Sequence, residues 1–521
     1  MFSSCSRRTG NSLERVAILP ANVLISDVSA EWISVALPLV LQEDLATSRT
    51  ILASAANGES AAYQSGASEV LHTTIENRNG RIRIEAVFTD LHTQRNRNVL
   101  EIDGPSPAGL VGSINRLAKR IDEHASDFST NSERALQAFT GAAESTQLQA
   151  RVQMVREAAS IDPAFGLAYI MWLEMAAQSA PQAISGIMAT AKNHVPSFTG
   201  LDRARFNTLA ARLLHAPLPQ QEASLRTLLQ LAPNSVDALA TLGSLRFLEG
   251  DPGSGGRLLG RALELSPGNT SIRQQLGQGL LEARRFSEAE QMFVGLDNNP
   301  ASLPSLATCV LLEGDTTRAD TIIERFIGSV ANPDLKTLFR DTWLAVSGQS
   351  GKAIAGVQTS TFENPMLRSI ALSQLAMWQL MGKDAAGARK SATEAVRLDP
   401  RSVSFAAAAM LVTEGGRSVN EWRQMVDVSP IASDQQAKES VLGYGFFLNG
   451  RYSEAAQVWQ QALDRSGGAD LRARTMLAAS FDRAGKRDDP RKVLVEPFVP
   501  EFGDLYAAVS FAEMRRLLQL H

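Results

Sequence analysis

The sequence predicts a mainly α protein, an α-solenoid of helix-turn-helix repeats preceded by a small α/β domain. Three observations predict it. Prolines recur at a nearly constant interval from residue 163 to residue 430. Between them, apolar residues fall at helical spacing in two runs per interval. Ahead of about residue 125 the pattern changes, and short strand-like alternations are interleaved with helical ones.

The prolines stand at Pro163, Pro196, Pro233, Pro267, Pro300, Pro333, Pro365, Pro400 and Pro430, so successive intervals are 33, 37, 34, 33, 33, 32, 35 and 30 residues. A fixed period of this size marks a stacked supersecondary unit, because an unrelated helical bundle has no need of a constant interval. Several of these prolines end similar phrases, Ile161-Asp162-Pro163, Leu231-Ala232-Pro233, Leu265-Ser266-Pro267 and Leu398-Asp399-Pro400. Each closes a helical run that Pro cannot continue. The clearest unit runs from Val236 to Pro267: Leu239, Leu242, Gly243 and Phe247 lie on a first helix, and Leu258, Leu259, Ala262 and Leu263 on a second. The Gly250–Gly256 stretch is expected to be the turn between them. A small residue in one helix lets the other approach, and larger apolar residues fill the space between successive pairs.

These units resemble the tetratricopeptide repeat (TPR). That family places Leu-Gly in its first helix, then Ala early in the second, a large apolar or aromatic residue four later, Ala three after that, and Pro. Leu242-Gly243, Gly255, Leu259, Ala262 and Pro267 fit the spacing, with Gly in place of the first Ala. Leu276-Gly277, Ala289 and Phe293 repeat it, as do Leu442-Gly443, Gly450, Ala455, Trp459 and Ala462, with Gly467 where the Pro would stand. Leu375-Ala376, Ala388, Ala392, Ala395 and Pro400 make a fourth match, while the units near 131–163, 202–233, 300–333 and 334–365 are degenerate. The resemblance implies a right-handed TPR-like superhelix over residues 130–485. Residues 486–521, with Glu496-Pro497-Phe498 and Pro500-Glu501-Phe502 ahead of a helix over Tyr506–Leu520, are expected to be an irregular cap on the last apolar face.

Residues 13–125 read differently. Arg15–Leu19 is a short buried strand ended by Pro20, and Ala30–Leu45 carries Ile33, Leu37, Val40, Leu41 and Leu45 at helical spacing. Glu69–Glu76, Arg81–Leu91 and Asn96–Ile102 read as strands, with Asn79-Gly80 in a hairpin turn that needs positive φ. Ile82, Ile84, Ala86 and Phe88 make one apolar face, and Leu110–Ile121 closes the domain as a helix. Val16-Ala17-Ile18-Leu19-Pro20, Gly66-Ala67 and Asn79–Ile84 resemble the amino-terminal domain of TolB. In similar bacterial proteins that domain precedes TPR arrays, and the resemblance implies an interaction module with no catalytic part.

Composition narrows the function classes. A net charge of −4 gives no electrostatic reason to expect nucleic acid. No apolar run reaches the ~18 residues of a membrane-spanning helix. Cys5 and Cys309 make no disulfide framework, and Cys309 lies in an apolar helical pattern as an inert thiol. Residues 1–12 read as a disordered leader. Met1–Ser4 ahead of Cys5 also resembles the end of a lipoprotein signal, so Cys5 would carry a lipid anchor if an upstream signal is missing. The expected compartment is the cytoplasm for the sequence as it stands, and the periplasm or envelope in the second case.

No catalytic constellation, cofactor motif or metal-ligand spacing stands out. Gly250–Arg257 lacks the Gly-Lys-Ser/Thr ending of a phosphate loop, and His72, His92, His124, His194, His215 and His521 show no paired spacing. The function expected is a non-catalytic scaffold that binds a partner protein or peptide on the faces of the first helices. Phe247, Gln274, Gln278, Glu282, Met377, Met381, Tyr444 and Phe447 are the candidate groove residues. The Lys, Arg and Asn of the TPR clamp for carboxyl-terminal peptides are absent there, whereas Met and aromatic side chains suit an amphipathic helical peptide. The alternative is an accessory sensor, or an envelope-associated protein, whose α/β domain binds a ligand. An enzyme of unrecognised type would require converging ionisable residues that the sequence does not offer.

Overall fold

A computed structural model describes residues 13–25, 30–78, 81–103, 109–296, 298–413, 418–468, 470–486, 496–497, 499–502 and 504–519. The expectations for residues 1–12, for Cys5, for the turn Asn79-Gly80 and for Phe498 fall outside them. The described residues form two compact units: one runs to Leu245 and takes in Arg257–Asn269, and the other comprises Arg246–Gly256 and the chain from Thr270.

The first unit begins with a mixed sheet. Its strands are β1 (Glu14–Ile18), β2 (Asn22–Leu24), β3 (Ile51–Ala55), β4 (Glu69–Arg78), β5 (Arg81–Asp90) and β6 (Asn96–Asp103). The order is β3-β1-β4-β5-β6, with β2 continuing the edge of β4 beyond β1. β1 is parallel to both neighbours, while β4, β5 and β6 form an antiparallel meander. Pro20 interrupts the β1–β2 edge, since it has no N–H to give, and Ala21 N–H donates instead to Ser34 O at 2.9 Å. β3 and β2 were not legible in the sequence: Ile51–Ala55 is Ala-rich and lacks alternation, and β2 has three residues.

The period of two in β1 sends Val16 and Ile18 into one core and Ala17 and Leu19 into another. α1 (Ile33–Asp44) and α3 (Leu110–Ile121) cover the first face, and Ala62 of α2 (Glu59–Gln64) joins the second. On β5, Ile82, Ile84, Ala86 and Phe88 are buried as the alternation requires.

Helical hairpins follow in the same unit: α4 (Glu133–Glu144) with α5 (Leu148–Ile161), α6 (Gly166–Ser179) with α7 (Ile184–Lys192), and α8 (Gly200–Leu213) with α9 (Leu218–Leu231). One apolar core runs without a break from Val16 of the sheet to Leu209 of α8. Polar contacts fasten the same junction. Ser129 Oγ donates to Asp202 Oδ2 and accepts from Leu167 N–H at 3.3 Å, and Arg205 pairs with Glu43 of α1. Asp202 fits only because residue 166 is Gly, where a Cβ would lie 2.6 Å from the Asp202 Cβ.

Next come α10 (Val236–Leu248) and α11 (Pro252–Leu265). The break between them is narrower than the glycines suggest. Pro252 opens α11 at the first helical position, where a missing N–H is harmless, and Gly253, Gly255 and Gly256 are helical.

In the second unit the hairpins are α12 (Thr270–Glu282) with α13 (Phe286–Val294), α14 (Leu303–Leu312) with α15 (Thr316–Ser329), α16 (Pro333–Val346) with α17 (Ser350–Thr359), and α18 (Pro365–Met381) with α19 (Ala385–Leu398). α20 (Val403–Thr413), α21 (Val419–Asp427), α22 (Gln435–Leu448), α23 (Tyr452–Arg465), α24 (Leu471–Arg483) and α25 (Ala507–Leu517) complete it. The recurrent prolines have two roles. Pro400 follows a helix, whereas Pro333 and Pro365 open helices whose preceding Asn332 and Asn364 side chains accept from backbone N–H groups of the first turn. The small-to-large match inside hairpins is direct: a Cβ at Gly277 would lie 2.9 Å from the Phe293 ring, and one at Gly443 would lie 2.4 Å from Trp459. The fold is therefore mainly α, TPR-like helical hairpins behind a small α/β domain.

Candidate interaction surfaces

In the second unit the first helices are covered by the chain's own C-terminal segment. Phe502 enters an aromatic cluster, with ring centroids 5.7 Å from Phe326 of α15, 5.7 Å from Phe339 and 6.3 Å from Trp343 of α16. Four residues later, Tyr506 stacks on Tyr444 of α22 with centroids 4.0 Å apart and rings 5° from parallel, and it meets Phe405 of α20 at 5.5 Å. α25 packs on α16 and α24, burying Phe511 and Met514 completely.

Acidic residues of this segment meet arginines of α24. Arg472 donates to Asp504 at 2.8 Å, Arg474 to Glu496 at 3.0 Å and Arg483 to Glu513 at 2.7 Å. Such pairs fix register more than they add stability, because each charge has given up part of its hydration. Near Glu496, Gln278 donates to Glu282 at 3.0 Å. Burial pushes the Glu282 carboxyl up to about 7, Glu496 adds to the rise, and Gln278 and Arg474 oppose it.

This arrangement corrects half of the groove expected from sequence. Met377 and Tyr444 are fully buried, Phe247 and Phe447 nearly so, and a partner cannot touch them without opening the unit. Tyr444 is edge-on to Trp459 at 4.9 Å, and its hydroxyl is hydrogen-bonded to Ser510. Phe247 lies where a Cβ at Gly279 would sit 2.4 Å from its ring. The physical reason is that helical spacing identifies an apolar face but not its cover. Gln274 and Met381 remain exposed, and Gln278 and Glu282 are partly accessible beside the C-terminal segment. The receiving residues Phe326, Phe339, Trp343 and Phe405 were missed. Nothing in their spacing set them apart, since α15 and α20 each carry a single aromatic.

Other chemistry is sparse. Cys309 is buried, and burial pushes its thiol well up, away from the reactive thiolate. His72 lies 3.7 Å from Glu59, and His194 stacks on Tyr169 with centroids 6.2 Å apart. Among the described residues, no group of three or more His, Cys, Asp or Glu is placed to hold a metal, and no helix is long and apolar enough to cross a membrane.

Hairpins of two helices with small-to-large contacts within each define a helical-repeat fold of TPR-like architecture. No family model matches the chain, and no curated protein matches it. Solved structures with a similar chain course include Naa15/Naa10 bound to HypK-THB, at 12% identity and TM-score 0.25 over 74% of this chain and 63% of that one. The chain thus spans less than two thirds of that protein's length. The P58(IPK) TPR domain matches at 12% identity and TM-score 0.19 over 73% and 95% of the two chains. The human IFIT1 dimer with PPP-AAAA matches at 12% identity and TM-score 0.27 over 74% and 93%. At these scores the likeness adds nothing to the site, and the fold rests on the hairpins themselves.

Proposed function

We propose that the chain is a non-catalytic scaffold whose second unit binds a partner segment on the faces of its first helices. One observation supports this reading most: those faces already receive a peptide-like segment, residues 496–519, through two aromatic anchors four residues apart and flanking carboxylates on arginines. A partner with an aromatic-x-x-x-aromatic motif and acidic flanks would meet the same rings and arginines. The C-terminal segment then competes in cis, at the high effective concentration of a tethered ligand. The domain plan of the proposal is an α/β module of the TolB amino-terminal type over 13–125, repeats over 130–485 and the competing segment within 486–521, in a bacterial protein that acts in an envelope or signalling assembly.

The test uses the full chain and a fluorescent synthetic peptide of residues 496–519. Phe502→Ala combined with Tyr506→Ala loosens the cis segment, so the variant should bind the peptide at least about tenfold more tightly than the unmodified chain. A variant that captures no peptide and simply unfolds at a much lower temperature would identify the segment as permanent core and end the proposal.

A further inference from the structure

The first unit holds an open cavity of about 570 Å³, within the roughly 300–1,000 Å³ of small-molecule sites. It lies just beyond the carboxyl ends of the parallel strands β1 and β3, where Ile18, Pro20 and Ala55–Asn57 form its floor. In open sheets with parallel strands this edge is the habitual ligand position, because the chain turns away there and leaves a crevice. The opposite wall is helical. Leu167, Ile170 and Met171 of α6, Leu209 of α8 and Leu225 of α9 supply an apolar surface.

Polar groups on the wall divide into two kinds. Some are already satisfied. Gln42 Oε1 accepts from Ala55 N–H at 2.7 Å, and Glu43 is paired with Arg205. Others have no hydrogen bond or ion pair among the described residues: the carboxylates of Glu174 on α6 and Asp237 on α10, and the guanidinium of Arg212 on α8. They share one electrostatic field. Burial raises the Glu174 pKa, Asp237 adds to the rise, and Arg212 and Arg205 oppose it. Both carboxylates are exposed to the cavity without a protein donor, so an incoming cation can pair with them directly. An arginine fork without a partner is suited to a carboxylate, which it can hold through two parallel hydrogen bonds.

We infer that this cavity binds a small zwitterion with an apolar body, an α-amino acid or short peptide with free amino and carboxyl ends. The ammonium sits between Glu174 and Asp237, the carboxylate on Arg212, and the apolar side chains against the leucines and Met171 of the helical wall. Backbone carbonyls and Asn57 at the strand ends are left for the peptide group. The site is independent of the segment on the second unit, and so is its test.

Isothermal titration of the full chain with L-leucyl-L-leucine, its N-acetyl derivative and its C-terminal amide reads each end of the ligand separately. The free dipeptide should bind, and blocking either end should weaken binding at least about tenfold. Glu174→Gln should remove the discrimination against the acetylated probe, and Arg212→Gln the discrimination against the amide. Both side chains are accessible, so the two variants should melt within a degree or two of the unmodified chain. Equal binding of free and blocked dipeptides would overturn the charge reading in favour of an apolar pocket. Absence of heat with all three probes would overturn the site.

Discussion

Two groups of hairpins built to one pattern differ in what covers their first helices. In the first unit, α6, α8 and α10 help to enclose a cavity that ends on the sheet, and Glu174, Asp237 and Arg212 there make no side-chain hydrogen bond or ion pair among the described residues. In the second, α16, α20 and α22 are covered by aromatic rings with centroids 4.0–6.3 Å away, and α24 meets its acidic partners at 2.7–3.0 Å. The difference teaches that a repeat determines the hairpin and leaves its exposed face as an unfilled requirement. A separate piece of chain meets that requirement, and how completely it does so decides whether the face is closed in cis or left open as a cavity.

The contrast can be broken most forcefully at Tyr506. Tyr506→Ala removes a ring packed between Tyr444 and Phe405, and should cost about 3–5 kcal/mol, in line with large-to-small changes at buried aromatics. Urea unfolding measures the loss, and hydrogen exchange should show α22 and α24 opening while β4 and β5 keep their protection. Equal loosening of both units would mean that they do not differ in the way described.

Gly443→Val should come next, at about 1–3 kcal/mol, because its side chain would occupy the space of the Trp459 ring. The same substitution at Gly260, which has nothing within 4 Å of an added Cβ, should cost nothing or stabilise slightly, since Val has the better helix propensity. Similar losses at the two glycines would refute the small-to-large account of the hairpin.

The units should also differ with pH. Burial pushes the Asp44 carboxyl of the first unit from 3.8 to about 8, with Asp127 and Glu43 adding to the rise. A raised carboxyl keeps its proton in the folded state after the unfolded chain has released it. Its stabilising effect is therefore full below its unfolded value and lost as pH climbs to the folded one. In the second unit Glu282 is raised to about 7 and Asp341 to about 6, so these groups should lose their contribution at lower pH. Asp44→Asn should flatten the first unit's decline between pH 6 and 8, where one such group accounts for up to about 1.4 kcal/mol per pH unit. Denaturation across a pH series checks it; an unchanged slope in the variant would show that Asp44 is ionised throughout.

The smallest effect belongs to the cavity. Glu174→Gln should change stability by no more than about 0.5 kcal/mol, because the carboxylate is accessible and makes no hydrogen bond. A large loss would place Glu174 in the structural framework of the first unit.

How much was legible follows from the distance over which each feature is decided. The matches Gly277–Phe293 and Gly443–Trp459 lie 16 residues apart within a hairpin, and a periodic sequence displays them openly. The same holds for the alternation Ile82, Ile84, Ala86 and Phe88, since a strand's two faces are set by its own pleat. Of the candidate groove residues, Gln274, Gln278, Glu282 and Met381 stay at or near the surface, whereas Met377, Tyr444, Phe247 and Phe447 do not.

By itself the sequence determined the helical hairpins, their period and the presence of a sheet domain ahead of them, because backbone propensity, proline placement and short-range packing act within one repeat. Only the tertiary structure decided which faces are closed. Tyr444 is sealed by Tyr506, 62 residues further on, and the floor of the cavity comes from strand ends more than 100 residues before Glu174 and Arg212 in the chain. Burial at such separations depends on where two distant segments come to rest, and the spacing of residues within either segment carries no record of it.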